Sequence, residues 1–102
     1  GSFIINNDAK LFLDRGVTFD YGNTVDNDAI TLNGTLHAYA CTIQTSHTTG
    51  LVLNGGTLIV EDKVTINDSG GVNGLTIGES MNTYITGGST LEVVSGTVKY
   101  GV

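Results

Sequence analysis

The chain has 102 residues, with no proline, no tryptophan, one cysteine and only four cationic side chains, Lys10, Arg15, Lys63 and Lys99. Each shortage removes a class of protein. Cys41 has no partner for an intrachain disulfide, and its apolar neighbours predict a buried, inert thiol. Four cations against ten acids give a net charge of −6. The basic footprint that neutralises a phosphate backbone is therefore missing, which excludes nucleic acid as a partner. No apolar run approaches the length of a helical membrane span and no signal-peptide pattern is present, so membrane insertion is not expected. Apolar residues at i, i+3, i+4 and i+7 are also lacking, so no amphipathic helix is predicted.

What remains is rich in glycine, at 15 residues, and poor in charge, at 14%. Short period-2 runs of Val, Ile, Leu and Thr recur throughout, the signature of half-buried strands. The stretch Leu51–Gly78 begins on Leu51-Val52-Leu53-Asn54-Gly55 and closes on Leu75-Thr76-Ile77-Gly78, with Leu58-Ile59-Val60 and Val64-Thr65-Ile66 between. Three short strands and a return to the start make one coil of a repeating unit.

Used as a ruler, that unit sorts the chain into strands a, b and c. Strand c recurs at Phe3–Ile5, Ile30–Leu32, Leu51–Leu53, Leu75–Ile77 and Val98–Tyr100; the last four precede Gly34, Gly55, Gly78 and Gly101. Strand a follows as Leu11–Leu13, Leu36–Ala40, Leu58–Val60 and Met81–Ile85, and strand b as Val17–Phe19, Cys41–Ile43, Val64–Ile66 and Leu91–Val93. The pattern predicts an all-β parallel β-helix (β-solenoid) of about four coils with a period of roughly 23 residues. The coils run 9–32, 33–55, 56–78 and 79–102, stacked at about 4.8 Å per rung. An antiparallel β-sandwich is the alternative, though the period repeats three strands and not two. Residues 1–8 read as an expression scar, Gly1-Ser2, and a lead-in strand, with the solenoid as a segment of a larger protein.

The pleat then assigns faces. Leu11, Leu13, Val17, Phe19, Ile30, Leu32, Leu36, Ala38, Cys41, Ile43, Leu51, Leu53, Leu58, Val60, Val64, Ile66, Leu75, Ile77, Leu91, Val93 and Val98 are expected to point inward. Outward on b stand Thr18, Thr42 and Thr65, continued by Thr90 or Glu92; outward on c stand Thr31, Val52, Thr76 and Lys99. Outward on a stand Phe12, His37 and Ile59, with Tyr39 beside them. Large apolar groups in a line on an exposed face predict an oligomer or neighbouring-domain interface there. Asn33-Gly34 and Asn54-Gly55 suit tight corners that need positive φ.

Chemistry-bearing residues gather in the loops from b to c, where Asp20, Tyr21, Asp26, Asp28 and His47 form a candidate ligand-binding rim. Carboxylates and amides at one rim can hold sugar hydroxyls, or Ca²⁺ through oxygen ligands, although such residues also serve turns. No other cofactor is implied. Glycoside hydrolysis needs two carboxylates flanking one bond, for which Asp26 with Asp28, or Asp14 with Asp62, are the available pairs. Asp14-Arg15 and Glu61-Asp62-Lys63 read better as a solvated charged corner. His37 and Cys41 project from opposite faces, and two histidines make no metal site. The chain is not expected to be an enzyme.

Gly55-Gly56-Thr57-Leu58-Ile59-Val60 and the run from Gly87 to Val98 resemble the repetitive β-solenoid passengers of autotransporter adhesins and the β-helical shafts of phage tailspikes and tail fibres. The resemblance implies a virion-surface or bacterial cell-surface location and attachment to a host surface, often through glycan. Open solenoid ends and the apolar face a are expected to be covered either in a homo-oligomer, a homotrimer, or by a longer parent chain. A polysaccharide depolymerase and a purely structural shaft are the alternatives the same resemblance allows.

Overall fold

A computed structural model describes residues 3–20, 30–45, 51–68 and 75–101. Their secondary structure consists of thirteen strands: β1 Phe3–Ile5, β2 Lys10–Leu13, β3 Thr18–Asp20, β4 Ile30–Leu32, β5 Thr35–Tyr39, β6 Thr42–Thr45, β7 Leu51–Asn54, β8 Thr57–Glu61, β9 Lys63–Asp68, β10 Leu75–Ile77, β11 Asn82–Ile85, β12 Thr90–Ser95 and β13 Val98–Tyr100. They form three parallel sheets, β2-β5-β8-β11 (sheet a), β3-β6-β9-β12 (sheet b) and β1-β4-β7-β10-β13 (sheet c). Lys10 pairs with Thr35, Thr35 with Thr57 and Thr57 with Asn82. Four rungs are thus separated by about three turns of about 24 residues. This is the parallel β-solenoid that the repeat predicts, and the lead-in strand takes part in it through the β1–β4 pairing.

Alternation drives the burial. In β8, Leu58 and Val60 are buried between half-buried Thr57, Ile59 and Glu61, and β5 repeats the pattern with Leu36 and Ala38. Ile30, Leu32, Ile43, Leu53, Val64, Ile66, Leu75 and Ile77 complete a continuous apolar column with Cys41 among them. At roughly 1.5–3 kcal/mol for each fully buried large aliphatic side chain, this column is the main favourable term. One inward assignment fails: Val17 lies in the corner before β3 and is exposed. Val93 keeps the inward parity of its partner Ile66 but is exposed, in the last described rung of sheet b. Ile5, Met81 and the polar Thr45 join the buried set instead.

The corners between sheets a and b each hold one residue in the left-handed region: Gly16 (φ 81°), Ala40 (46°), Asp62 (60°) and Gly88 (76°). At the corners from c to a, Gly55 has the expected positive φ of 68°. Gly34 does not; it is needed because a Cβ there would collide with the carbonyl oxygens of Ala9 and Asn6. The outward file of sheet c also differs from the pattern. Thr76 faces Val52 and Lys99, but Thr31 faces Asn54, two residues further along. A slip of two keeps every side chain on its face, so the core is undisturbed.

Candidate functional site

Sheet a gathers the side chains that are unusual for a wet face. Its register sets Phe12 beside His37, His37 beside Ile59 and Ile59 beside Tyr84. The four make one outward rib across all four rungs, because residues paired in a parallel ladder stack directly above one another. Phe12 and Tyr84, at its two ends, are exposed at 47% and 58%.

The rib is held by contacts between rungs. Phe12 meets the His37 ring edge to face, with centroids 4.9 Å apart, and lies nearly parallel to Tyr39 at 6.3 Å. His37 Nε2 lies 2.8 Å from Glu61 Oε2, and an ionised carboxylate can only accept, so the ring N–H donates. Arg15 sets its guanidinium over the Tyr39 ring, 5.1 Å from the centroid, and donates to the phenol oxygen at 2.7 Å. That hydrogen bond, with the negative charge the phenol carries when ionised, raises the already high pKa of Arg15, and Asp62 and Asp14 add to it. The surface is therefore a strip of ring faces bordered by one cation and one acid.

Sheet b presents the opposite chemistry. Thr18, Thr42, Thr65 and Glu92 stand in one outward file, so the continuation is Glu92 and not Thr90, and Lys63 reaches Glu92 at 3.2 Å. A second ladder runs Asp20, Gln44, Asn67 and Ser95. Gln44 Nε2 donates to Asp20 Oδ2 at 3.3 Å, and Ser95 Oγ donates to Asn67 Oδ1 at 2.5 Å.

Of the rim residues expected to bind ligand, Asp20 belongs to this ladder, and Tyr21, Asp26, Asp28 and His47 lie outside the described residues. Phe12, His37, Tyr39 and Ile59 come together as one surface. Tyr84 completes that surface and was missed, because it lies 25 residues beyond Ile59 and counting on by the period of roughly 23 stops at Asn82. Asp14 and Asp62 flank the Arg15 corner: Asp14 Oδ1 accepts from the Arg15 N–H at 2.7 Å, and the Asp62 N–H donates to Ser89 Oγ at 2.8 Å. Cys41 is in the core, where burial raises its pKa against a smaller lowering by a backbone hydrogen bond with Tyr39. Its sulfur is therefore a poor nucleophile and lies apart from His37.

Among the described residues no group of three or more His, Cys, Asp and Glu side chains is placed to hold a metal ion. A depression of about 270 Å³ at the corner between sheets c and a is lined by Asp8, Lys10, Asn33, Gly34, Thr35 and Thr57 among others. No family model, curated protein or solved structure matches the chain.

Proposed function

We propose that the chain is a structural and adhesive β-solenoid segment, of the tailspike, tail-fibre or surface-adhesin kind, that attaches a virion or bacterial surface to a host-cell glycan. The observation that carries this reading is the Phe12–His37–Ile59–Tyr84 rib. Aromatic faces on a rigid sheet suit the apolar faces of sugar rings, while Arg15, Glu61 and the Tyr84 hydroxyl lie within the same strip to meet hydroxyl groups. A rib that climbs one strand spacing per rung offers a linear polysaccharide a track and not a pocket.

A second reading is favoured by Phe12 and Ile59, which are apolar and neighbour one another across His37. On it, sheet a is the contact between protomers of a homotrimeric shaft. Glycan-array binding of the whole chain separates the two. The adhesive reading expects binding that Phe12→Ala or Tyr84→Ala reduces at least about fivefold, since a stacked ring is worth roughly 1–3 kcal/mol. Loss of binding on Asp26→Asn with Asp28→Asn, and not on the rib variants, would place recognition at the loops from b to c. No glycan binding, with a fall in sedimentation coefficient on Phe12→Ser and Ile59→Ser, would establish the shaft.

A further inference from the structure

The tripeptide Leu-Asn-Gly occurs twice, as Leu32-Asn33-Gly34 and Leu53-Asn54-Gly55, each time at a corner from sheet c to sheet a. An asparagine before a glycine carries a reaction of its own. The glycine amide nitrogen can attack the asparagine Cγ, because no Cβ blocks its approach. Both asparagines are exposed. Gly78, in the rung after Asn54, leaves the Asn54 carboxamide room to turn, since a Cβ there would come within 2.7 Å of its oxygen.

The two corners differ in the nucleophile. Gly34 is buried, and its N–H donates to Ile5 O at 3.0 Å beside the Asn33 N–H, which donates to the same oxygen at 2.9 Å. Thr35 N–H holds the next residue in place by donating to Ala9 O at 3.0 Å. Gly55 is half-buried, and its N–H makes no backbone hydrogen bond among the described residues. The ladder explains why. Leu53 pairs with Ile77 and its carbonyl accepts from Gly78 N–H at 2.9 Å, so the next donor in register, Gly55 N–H, would meet the Gly78 carbonyl. That oxygen closes a turn instead, accepting from Met81 N–H at 3.1 Å.

We propose that Asn54–Gly55 is a self-modification site, at which the folded chain converts asparagine to aspartate and isoaspartate with water as the co-reactant. This rests on the corner and not on the attachment reading above. Hydroxide takes the Gly55 amide proton and the nitrogen bonds to Asn54 Cγ. The Cγ–Nδ2 bond breaks, and Nδ2 gains a proton from water and leaves as ammonia. Water then opens the resulting succinimide at either carbonyl. Attack at the side-chain carbonyl gives aspartate, and attack at the backbone carbonyl gives isoaspartate, whose main chain runs through Cβ and Cγ. Nothing is oxidised or reduced, and either product adds a negative charge to the corner. Asn33–Gly34 is kept from this path, because freeing its nitrogen opens the three hydrogen bonds that Asn33, Gly34 and Thr35 make to the preceding rung.

The test incubates the folded whole chain in mildly alkaline buffer and follows each asparagine by tandem mass spectrometry, with an isoaspartyl methyltransferase reaction to tell isoaspartate from aspartate. A parallel incubation in urea that unfolds the chain gives the rates set by the tripeptide alone. In the folded chain Asn54 converts at least about tenfold faster than Asn33, since three hydrogen bonds guard the Gly34 nitrogen. In urea the two rates converge, and Asn54 yields isoaspartate as well as aspartate, as an imide requires. Equal rates in the folded chain, a faster Asn33, a folded chain in which neither reacts, or aspartate without isoaspartate would overturn the proposal. So would a difference of the same size in urea, which would place its cause in the neighbouring sequence and not in the corner.

Discussion

Val60 and Ile85 occupy the same file of sheet a, one rung apart, and one is sealed while the other is half open. The same holds for Ile66 and Val93 in sheet b. Sequence type does not separate the members of either pair, since all are β-branched and aliphatic and all lie in files that run through the core. What separates them is whether a rung lies on both sides. In a solenoid the core is built by stacking, so an inner side chain is buried by its neighbours in the file and an end side chain by only one of them. The corners show a parallel difference. The end corners use Gly16 and Gly88 at the left-handed position, and the inner corners use Ala40 and Asp62.

The largest effect expected from this contrast is on stability. Leu58→Ala, at a residue buried in an inner rung, should lower the unfolding free energy by about 2–5 kcal/mol in urea titration. Ile85→Ala should cost about 1 kcal/mol, because about half of that side chain is already in water. Equal losses at the two sites would mean that the last rung is as well packed as the inner ones.

The inner rungs were also the legible ones. Leu51–Gly78 repeats its own phrase, so the strands, their order and the parallel stacking could be read directly from hydrophobic alternation and spacing. Reading failed where the pattern has no local cause. Val93 has the pleat parity of a core residue, and its exposure depends on a neighbour that the pattern does not contain. Val17 extends an apolar run into a corner, where alternation says nothing about direction. The two-residue slip between β4 and β7 leaves every face unchanged, so hydrophobicity cannot report it. For the candidate site, Phe12, His37 and Ile59 were visible as a file. The His37–Glu61 and Arg15–Tyr39 contacts were not, because they link side chains 24 positions apart and depend on the register between rungs.

A smaller effect follows from Cys41, which is sealed in the column and whose thiol has a raised pKa through burial. A raised acid pKa means that the folded state disfavours the thiolate. The thiol's contribution to stability is therefore complete below the ordinary value of 9.0 and declines as pH rises past it toward the raised folded value. Urea midpoints between about pH 8 and 10 should fall more for the natural chain than for Cys41→Ala. As a counterpart at the open end, a cysteine at Val93 in the Cys41→Ala background should react readily with iodoacetamide in the folded protein, where Cys41 does not. Equal reactivity at the two positions would erase the distinction between inner and end rungs.

The smallest expected effect concerns the corners, and its sign is the informative part. Ala40 holds φ at 46°, where a Cβ crowds the following carbonyl at a cost of about 1–2 kcal/mol. Ala40→Gly removes that cost but gives the unfolded chain more freedom, worth about 0.4–1 kcal/mol in the opposite direction. The net result should be a gain between zero and about 1.6 kcal/mol in the urea titration. At the last corner the arithmetic reverses. Gly88 has open space where a Cβ would go, yet its φ of 76° makes Gly88→Ala strained, so a loss of about 1 kcal/mol is expected despite the room. If Ala40→Gly destabilises instead, the inner corner must draw more from the Ala40 side chain than it loses to strain. The glycine and non-glycine corners would then differ by packing and not by backbone alone.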